Sequence, residues 1–336
     1  METVIAMIPG NAFNAVLHGQ PRRWTRRAAG LALATLLAAV AACTGARRAD
    51  VTGTSVQAPL AAAPILAMTF NIRYGTARDG DHAWPLRRHV AFQAIRDFAP
   101  TVLGVQEALR FQLDEIAHEL EHYGELGVGR DDGIERGEYS AILYDRRRLE
   151  PLDHGTFWLS DTPAVPGSMT WGNRITRIAT WARLLDRAGG NSFYVFNTHW
   201  DHESQPSRER SAALILDRIR ARAVPADPVL LMGDFNAGED NAAFQALLAA
   251  GAVNLFDTFR AVHPDARETG TFHAFRGDRT GDRIDAILAS PHWQPVAAEI
   301  VHLQQSGLYP SDHFPVTAIV VLRARAPPRA PEKLPR

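Results

Sequence analysis

Asn71, Glu107, His199, Asp234, Asn236, Asp312 and His313 all stand at the edge of a short apolar run, or within a few residues of one. Ile65–Phe70 leads to Asn71, Val102–Val105 to Gln106 and Glu107, and Phe193–Phe196 to Asn197, Thr198 and His199. Val229–Met232 leads through Gly233 to Asp234, Phe235 and Asn236, and Ser311, Asp312 and His313 precede the last run. Any one of these is an ordinary cap or turn residue, because short polar side chains bond to nearby backbone. Five ends that mix carboxylates, amides and imidazoles carry more weight, since strand ends on one edge of a sheet converge on one pocket. Carboxylates and amide oxygens with few histidines suit a hard cation such as Mg²⁺ or Mn²⁺ better than zinc. Such an ion polarises a phosphoryl oxygen and offsets charge on the leaving oxygen, while a carboxylate deprotonates water and an imidazolium stabilises the transition state. Competing chemistries lack their parts: there is no Gly-x-Ser-x-Gly elbow, no Gly-x-x-x-x-Gly-Lys loop and no His-Glu-x-x-His helix. The one lysine is Lys333, so a P-loop lysine and a Schiff-base lysine are excluded.

The elements that must position these residues are legible as periodic runs. Strands are expected over Ile65–Phe70, Val102–Val105, Ala141–Tyr144, Trp181–Leu185, Phe193–Phe196, Val229–Met232, Ile284–Leu288 and Pro315–Leu322. Helices are expected over Arg87–Phe98, Gln112–Glu121, Ser207–Ala223 and Ala242–Ala250. In the first helix Val90, Ala91, Ala94, Ile95 and Phe98 make one apolar face, and Pro100 is a stop signal. The pattern is that of an α/β or α+β domain with helices covering a sheet core. A chain of 336 residues, 46% hydrophobic and 22% charged, buries a sizeable core, and without an internal repeat one domain is expected.

The ends read differently. Arg22, Arg23, Arg26 and Arg27 precede the apolar stretch Ala28–Ala42, which has the anatomy of a signal peptide and is short for a membrane span. Val40-Ala41-Ala42-Cys43 resembles the lipobox of bacterial lipoproteins, making Cys43 the expected lipidation site and the protein an exported one, lipid-anchored in the cell envelope. The expected organisation is a signal peptide over 1–42, a tether over 43–63, one domain over 64–323 and a proline-rich tail over 324–336. A single cysteine excludes an intramolecular disulfide, a Cys-ligated zinc site and an iron–sulfur cluster. Thirty-six basic against 37 acidic residues argue against a protein that lives by gripping a polyanion.

In order along residues 64–323, Met68-Thr69-Phe70-Asn71, Gln106-Glu107, Asn197-Thr198-His199, Gly233-Asp234-Phe235-Asn236, Arg283-Ile284-Asp285 and Ser311-Asp312-His313 resemble the endonuclease/exonuclease/phosphatase superfamily of DNase I-like metal-dependent phosphoesterases. The resemblance implies a four-layer αββα sandwich with the site at one edge of its two sheets. It implies Glu107 as the principal metal ligand, supported by Asn71 and Asp312, and Asp234 as the group that orients and deprotonates water. Asn236 would hold water or a phosphoryl oxygen. His199 and His313 would contact the scissile phosphate as protonated rings, His313 oriented by Asp285 and His199 by Glu138. Where abasic-site endonucleases carry an aspartate two residues after the first Asn, this chain has Arg73, which favours one Mg²⁺ or Mn²⁺ over two.

Specificity is expected in the loops. Gly129–Glu138 is charged and carries Arg130, and Thr156–Arg177 carries Trp171 and Arg177; with Arg73 and Arg208 these are the candidate substrate-binding residues. Aromatics beside arginine stack a base or sugar while holding phosphate, although Trp171 would equally close a small core and Arg208 a helix start. The expected activity is a phosphodiesterase acting outside the cytoplasm on a small phosphoester, as a monomer that meets the membrane only through its lipid. The alternatives are a secreted nuclease acting on DNA or RNA, and a catalytically inactive binding lipoprotein.

Overall fold

The computed structural model describes residues 63–249, 251 and 253–323. The expected signal peptide, Cys43, all of the tether but Ala63, and the tail lie outside the described residues. Chain order is β1 (Ile65–Asn71), α1 (Trp84–Phe98), β2 (Val102–Ala108), α2 (Arg110–Glu119), β3 (Tyr123–Leu126), β4 (Tyr139–Asp145), β5 (Leu149–Trp158), β6 (Ile178–Asp186), β7 (Asn191–His199), α3 (Gln205–Arg220), β8 (Val229–Asp234), α4 (Ala242–Ala249), β9 (Phe256–Asp257), α5 (Thr258–Val262), β10 (Asp285–Ala289), β11 (Trp293–Ile300) and β12 (Val316–Leu322). The expected strands and helices are all present with shifted ends; β3, β5, β9, β11 and α5 come in addition. Thr156–Trp158, read as loop from the sequence, closes the edge strand β5.

Two six-stranded mixed sheets, ordered β11-β12-β1-β2-β4-β3 and β5-β6-β7-β8-β10-β9, pack face to face. Helices α1 and α2 cover the first sheet through Phe92, Ile95, Leu113 and Ile116, and α3 and α4 cover the second through Ile215, Ile219, Phe244 and Leu247. This is the αββα sandwich. The first and last strands are antiparallel neighbours, with Ile65 opposite Val320. Among the described residues no helix is long and apolar enough to cross a membrane.

Strand alternation aims the polar ends. Ile65 and Ala67 lie in the core between the sheets while Met68 and Phe70 face the helices, so Asn71 returns to the inter-sheet side. The same two-residue step carries Phe193 and Val195 on to Asn197 and His199, Leu230 and Met232 on to Asp234, and Ala289 and Ile287 back to Asp285. Register then brings these ends together: Asn71 lies beside Gln106, and Asp234 between His199 and Asp285. Below them Gln106 Nε2 donates to Asn197 Oδ1 (2.6 Å), and Asn197 Nδ2 donates to the carbonyls of Val105 and Ala141, joining the sheets. Gly104 leaves the space for this: a Cβ there would lie 2.7 Å from the Asn197 carboxamide and 2.9 Å from Met232 Sδ.

Candidate active site

By alternation Glu107 would point at the helices. Instead it sits at φ 61°, where the β2–β4 register shifts between Gln106 and Ala108, and this bulge turns its carboxylate into the site. Arg73 (φ 58°) and Asn236 (φ 44°) are also left-handed, so three segments turn sharply as they leave the sheets. Glu107 Oε1 accepts from Asn71 Nδ2 (3.0 Å) and Oε2 from the Tyr74 backbone N–H (3.1 Å).

Asp234 is the hub. Its Oδ2 accepts from Asn71 Nδ2 (3.0 Å) and lies 3.5 Å from His199 Nε2 and 3.8 Å from His313 Nε2, while Oδ1 accepts from the Asn236 N–H (2.9 Å). Burial and then the charge of Asp285 push its carboxyl up to about 7, against the pull of His313 and the hydrogen bonds from Asn71 and Asn236. The His313 ring pairs through Nδ1 with Asp285 Oδ2 at 2.9 Å. Burial opposes its charge, but Asp285 and Asp234 outweigh that and hold it an imidazolium, its pKa well above the ordinary value. His199 behaves in the opposite way: burial, Arg177 and Arg130 hold it well below the ordinary value, so its ring is neutral. Asp234, His199 and His313 line a cavity of about 440 Å³ with Glu107, Asp312 and Asn236.

Two sets of side chains compete as a metal site. Asp234, Asp285 and His313 offer ligand atoms within 4.8 Å of one another, and here the His313 ring is instead paired with Asp285. Glu107 and Asp312 offer hard oxygens on the cavity wall. The Asp312 carboxyl is raised by burial and by the charge of Glu107, a repulsion that a divalent cation relieves. The donor set therefore fits Mg²⁺ or Mn²⁺. Arg73 already leans on both carboxylates, its Nε 3.7 Å from Asp312 and its Nη1 4.0 Å from Glu107, while its side-chain hydrogen bonds go to Asp79 and its guanidinium lies over the Tyr74 ring. Asn71 departs from the expected ligand role: its carboxamide oxygen accepts from the Arg73 N–H (3.0 Å), so its amino group faces Glu107 and Asp234.

The sequence pattern of the Endonuclease/Exonuclease/phosphatase family matches residues 68–313, a span that includes every one of these groups. The chain belongs to this family. Members of the endonuclease/exonuclease/phosphatase family are hydrolases of phosphoesters. Among solved structures, the family protein from Bacteroides vulgatus is 33% identical, with a TM-score of 0.72, covering 78% of this chain and 100% of that one. A family protein from Bacteroides thetaiotaomicron is 29% identical (TM-score 0.71; 78% and 99% covered). The mannosyl-6-phosphatase Bt3783 of Bacteroides thetaiotaomicron is 30% identical (TM-score 0.69; 77% and 100% covered). A comparison with curated proteins gives no match.

Around this family site the loops correct several expectations. Glu138 does not orient His199: both its oxygens are held by Arg130 (2.6 and 2.8 Å), a guanidinium that outcompetes an imidazole for a carboxylate. His199 thus lacks the partner expected to keep it charged. Trp171 is no substrate platform; it is buried in the core under the second sheet, its Nε1 donating to Asp161 Oδ1 (2.7 Å). Arg208 is spent at the start of α3 on the Asp201 carbonyl and Gln205 Oε1. Arg73, Arg130 and Arg177 do line the cavity.

Two residues were missed. Arg87, fully buried on α1, donates to the carbonyls of Ile72 (2.9 Å), Pro310 (2.7 Å), His82 (2.9 Å) and Arg73 (3.2 Å), tying the turn after Asn71 to the one before Asp312. Burial lowers its guanidinium to about 10. Its signal was an arginine in helical register with the apolar Val90, Ala91 and Ala94. Phe272, 48% exposed, lines the cavity with its ring 5.1 Å from that of His313; it stands in a loop without the periodic pattern that marks a strand or helix.

Proposed function

We propose that this protein is a divalent-metal-dependent phosphoesterase that hydrolyses small phosphorylated molecules outside the cytoplasm, held to the envelope by a lipid on Cys43. The observation that carries the reaction is the buried Asp234 carboxylate, flanked by His199, His313 and Asn71 beside the paired acids Glu107 and Asp312. A divalent cation on Glu107 and Asp312 supplies charge neutralisation at the phosphoryl oxygens. Asp234 accepts the proton of a water as its oxygen bonds to phosphorus, and the P–O bond to the alcohol breaks in line with that attack. The alcohol leaves with a proton from solvent. His313, kept cationic by Asp285, and the side chain of Asn236 at the cavity wall stabilise the charge that develops on phosphorus.

A cavity of about 440 Å³ fits a molecule the size of a sugar phosphate. The near-balanced charge of the chain argues against a protein that lives by gripping a polymeric nucleic acid. Similarity to a mannosyl-6-phosphatase puts sugar phosphates first among the substrates to try, ahead of the diesters that the sequence alone favoured. The test is a panel of p-nitrophenyl phosphate, bis-p-nitrophenyl phosphate, hexose 6-phosphates and supercoiled DNA, each with Mg²⁺, Mn²⁺ or EDTA. Turnover of the small esters with either ion, abolished by EDTA, is expected. Nicking of DNA at a comparable rate favours the nuclease reading, and silence on the whole panel favours the binding protein.

A further inference from the structure

Arg177 ends the loop before β6 and is 3% exposed. Among the described residues its guanidinium makes one hydrogen bond, from Nη2 to His202 Nδ1 (2.9 Å). The carboxylate paired with it, Asp201, is 3.7 Å from Nε through Oδ2, too far for a hydrogen bond, and its Oδ1 accepts from the backbone N–H groups of Glu203 and Ser204. Its Nε is buried without a hydrogen-bond partner, and so is the Nε of Arg130, whose nearest carboxylate besides Glu138 is Asp131 at 3.9 Å. Both arginines line the cavity on the side of His199, together with Glu138, whose single charge is shared with Arg130 by a two-oxygen pair. A buried cation is ordinarily paired and fully hydrogen-bonded. Here two guanidinium groups and a neutral imidazole share one wall, and each guanidinium keeps a buried N–H whose nearest carboxylate is beyond hydrogen-bond distance.

We propose that Arg177, with Arg130 beside it, is the anion-holding wall of the site, taking the non-bridging oxygens of a terminal phosphate and so selecting phosphate monoesters over diesters. The inference rests on the phosphoesterase reading and deepens it. A monoester offers three non-bridging oxygens and close to two negative charges, whereas a diester offers two oxygens and one charge. With His313, and with the cation that Glu107 and Asp312 would hold, serving part of the phosphoryl group, the third oxygen and second charge of a monoester would remain for the guanidinium groups.

The test uses the purified protein as wild type, Arg177→Lys, Arg177→Met and Arg130→Gln, with three readouts. These are turnover of p-nitrophenyl phosphate against its bis ester, competitive inhibition by inorganic phosphate, and calorimetric binding of inorganic phosphate to metal-free protein. Arg177→Met is expected to weaken phosphate binding by about 10-fold or more, the worth of a charge-assisted hydrogen bond. It is expected to lower kcat/KM for the monoester well beyond its effect on the diester, with partial recovery in Arg177→Lys. Unchanged phosphate binding, or equal losses on both esters, in a variant that melts like the wild type would overturn the proposal. Should Arg177→Met not fold, Arg130→Gln, at a partly exposed position, carries the same comparison. Phosphate binding that depends on Arg177 in a protein that turns over neither ester supports the anion wall and refutes the phosphoesterase reading.

Discussion

Asp234 Oδ2 is the atom on which the chemistry converges, with Asn71, His199 and His313 all within 4 Å of it. A base must be ionised to accept a proton. With the carboxyl pushed up to about 7, the ionised fraction grows as pH rises toward neutrality, so kcat/KM should climb with pH and level off above it. A cation bound nearby favours the ionised form and moves this limb to or somewhat below pH 7. Asp234→Asn should remove the limb and lower kcat/KM by about 10³-fold; a pH–rate profile in saturating Mg²⁺ checks both, and a limb that survives in Asp234→Asn assigns it to another group. At this scale the sequence was most legible where a residue sat in a strand-end motif. Asn71, Glu107, His199, Asp234, Asp285 and Asp312-His313 are all brought to one edge of the two sheets. It was least legible where a role depends on a partner far along the chain or in a loop. Arg130 captures Glu138 across a turn, Arg177 reaches His202, and Trp171 sinks into a core that exists only once α3 packs.

The four unexpected strands, β3, β5, β9 and β11, are the four edges of the two sheets. An edge strand with one exposed side needs no apolar run, and it tolerates residues that a central strand rejects, such as Pro151 in β5 and Pro295 in β11. The central strands, buried on both faces, are the ones whose sequence gave them away. Helices contribute to the site only at second hand, and α1 does so through one side chain. Arg87→Met leaves the carbonyls of Ile72, His82 and Pro310 without their donor, that of Arg73 keeping Gln112 Nε2, and lets the turns at Arg73 and Asp312 drift apart. Leaving such groups buried and unpaired costs about 1–3 kcal/mol each at most, so a lower melting temperature is expected. The more telling outcome is a kcat reduced more than KM is raised, together with a higher Mg²⁺ concentration for half activity. Arg87→Lys should recover stability better than activity, because an ammonium cannot span carbonyls in three directions. Equal kcat and metal dependence in folded Arg87→Met would reduce the residue to a packing role.

Every group proposed for the chemistry lies within one sandwich, so the proposed envelope anchor is expected to have no part in it. Cys43→Ala should move the protein from the membrane to the soluble fraction while kcat and KM on a small ester stay unchanged. Retention of the variant on membranes would refute lipidation at that residue. The pairing of β1 with β12 has a further consequence. β1 runs toward the site and β12 away from it, so Ile65 and Leu322 sit at the opposite pole, about 20 Å from Asn71 by strand length. Neighbouring strands are about 5 Å apart, so a linker of a few residues would join Ala63 to Arg323. The turn at Arg187–Gly190, between β6 and β7, lies at that same pole and is largely exposed. A chain re-threaded to begin and end in that turn would have a new order of elements around an undisturbed catalytic edge, and fusions at either pair of ends would leave the mouth of the cavity clear.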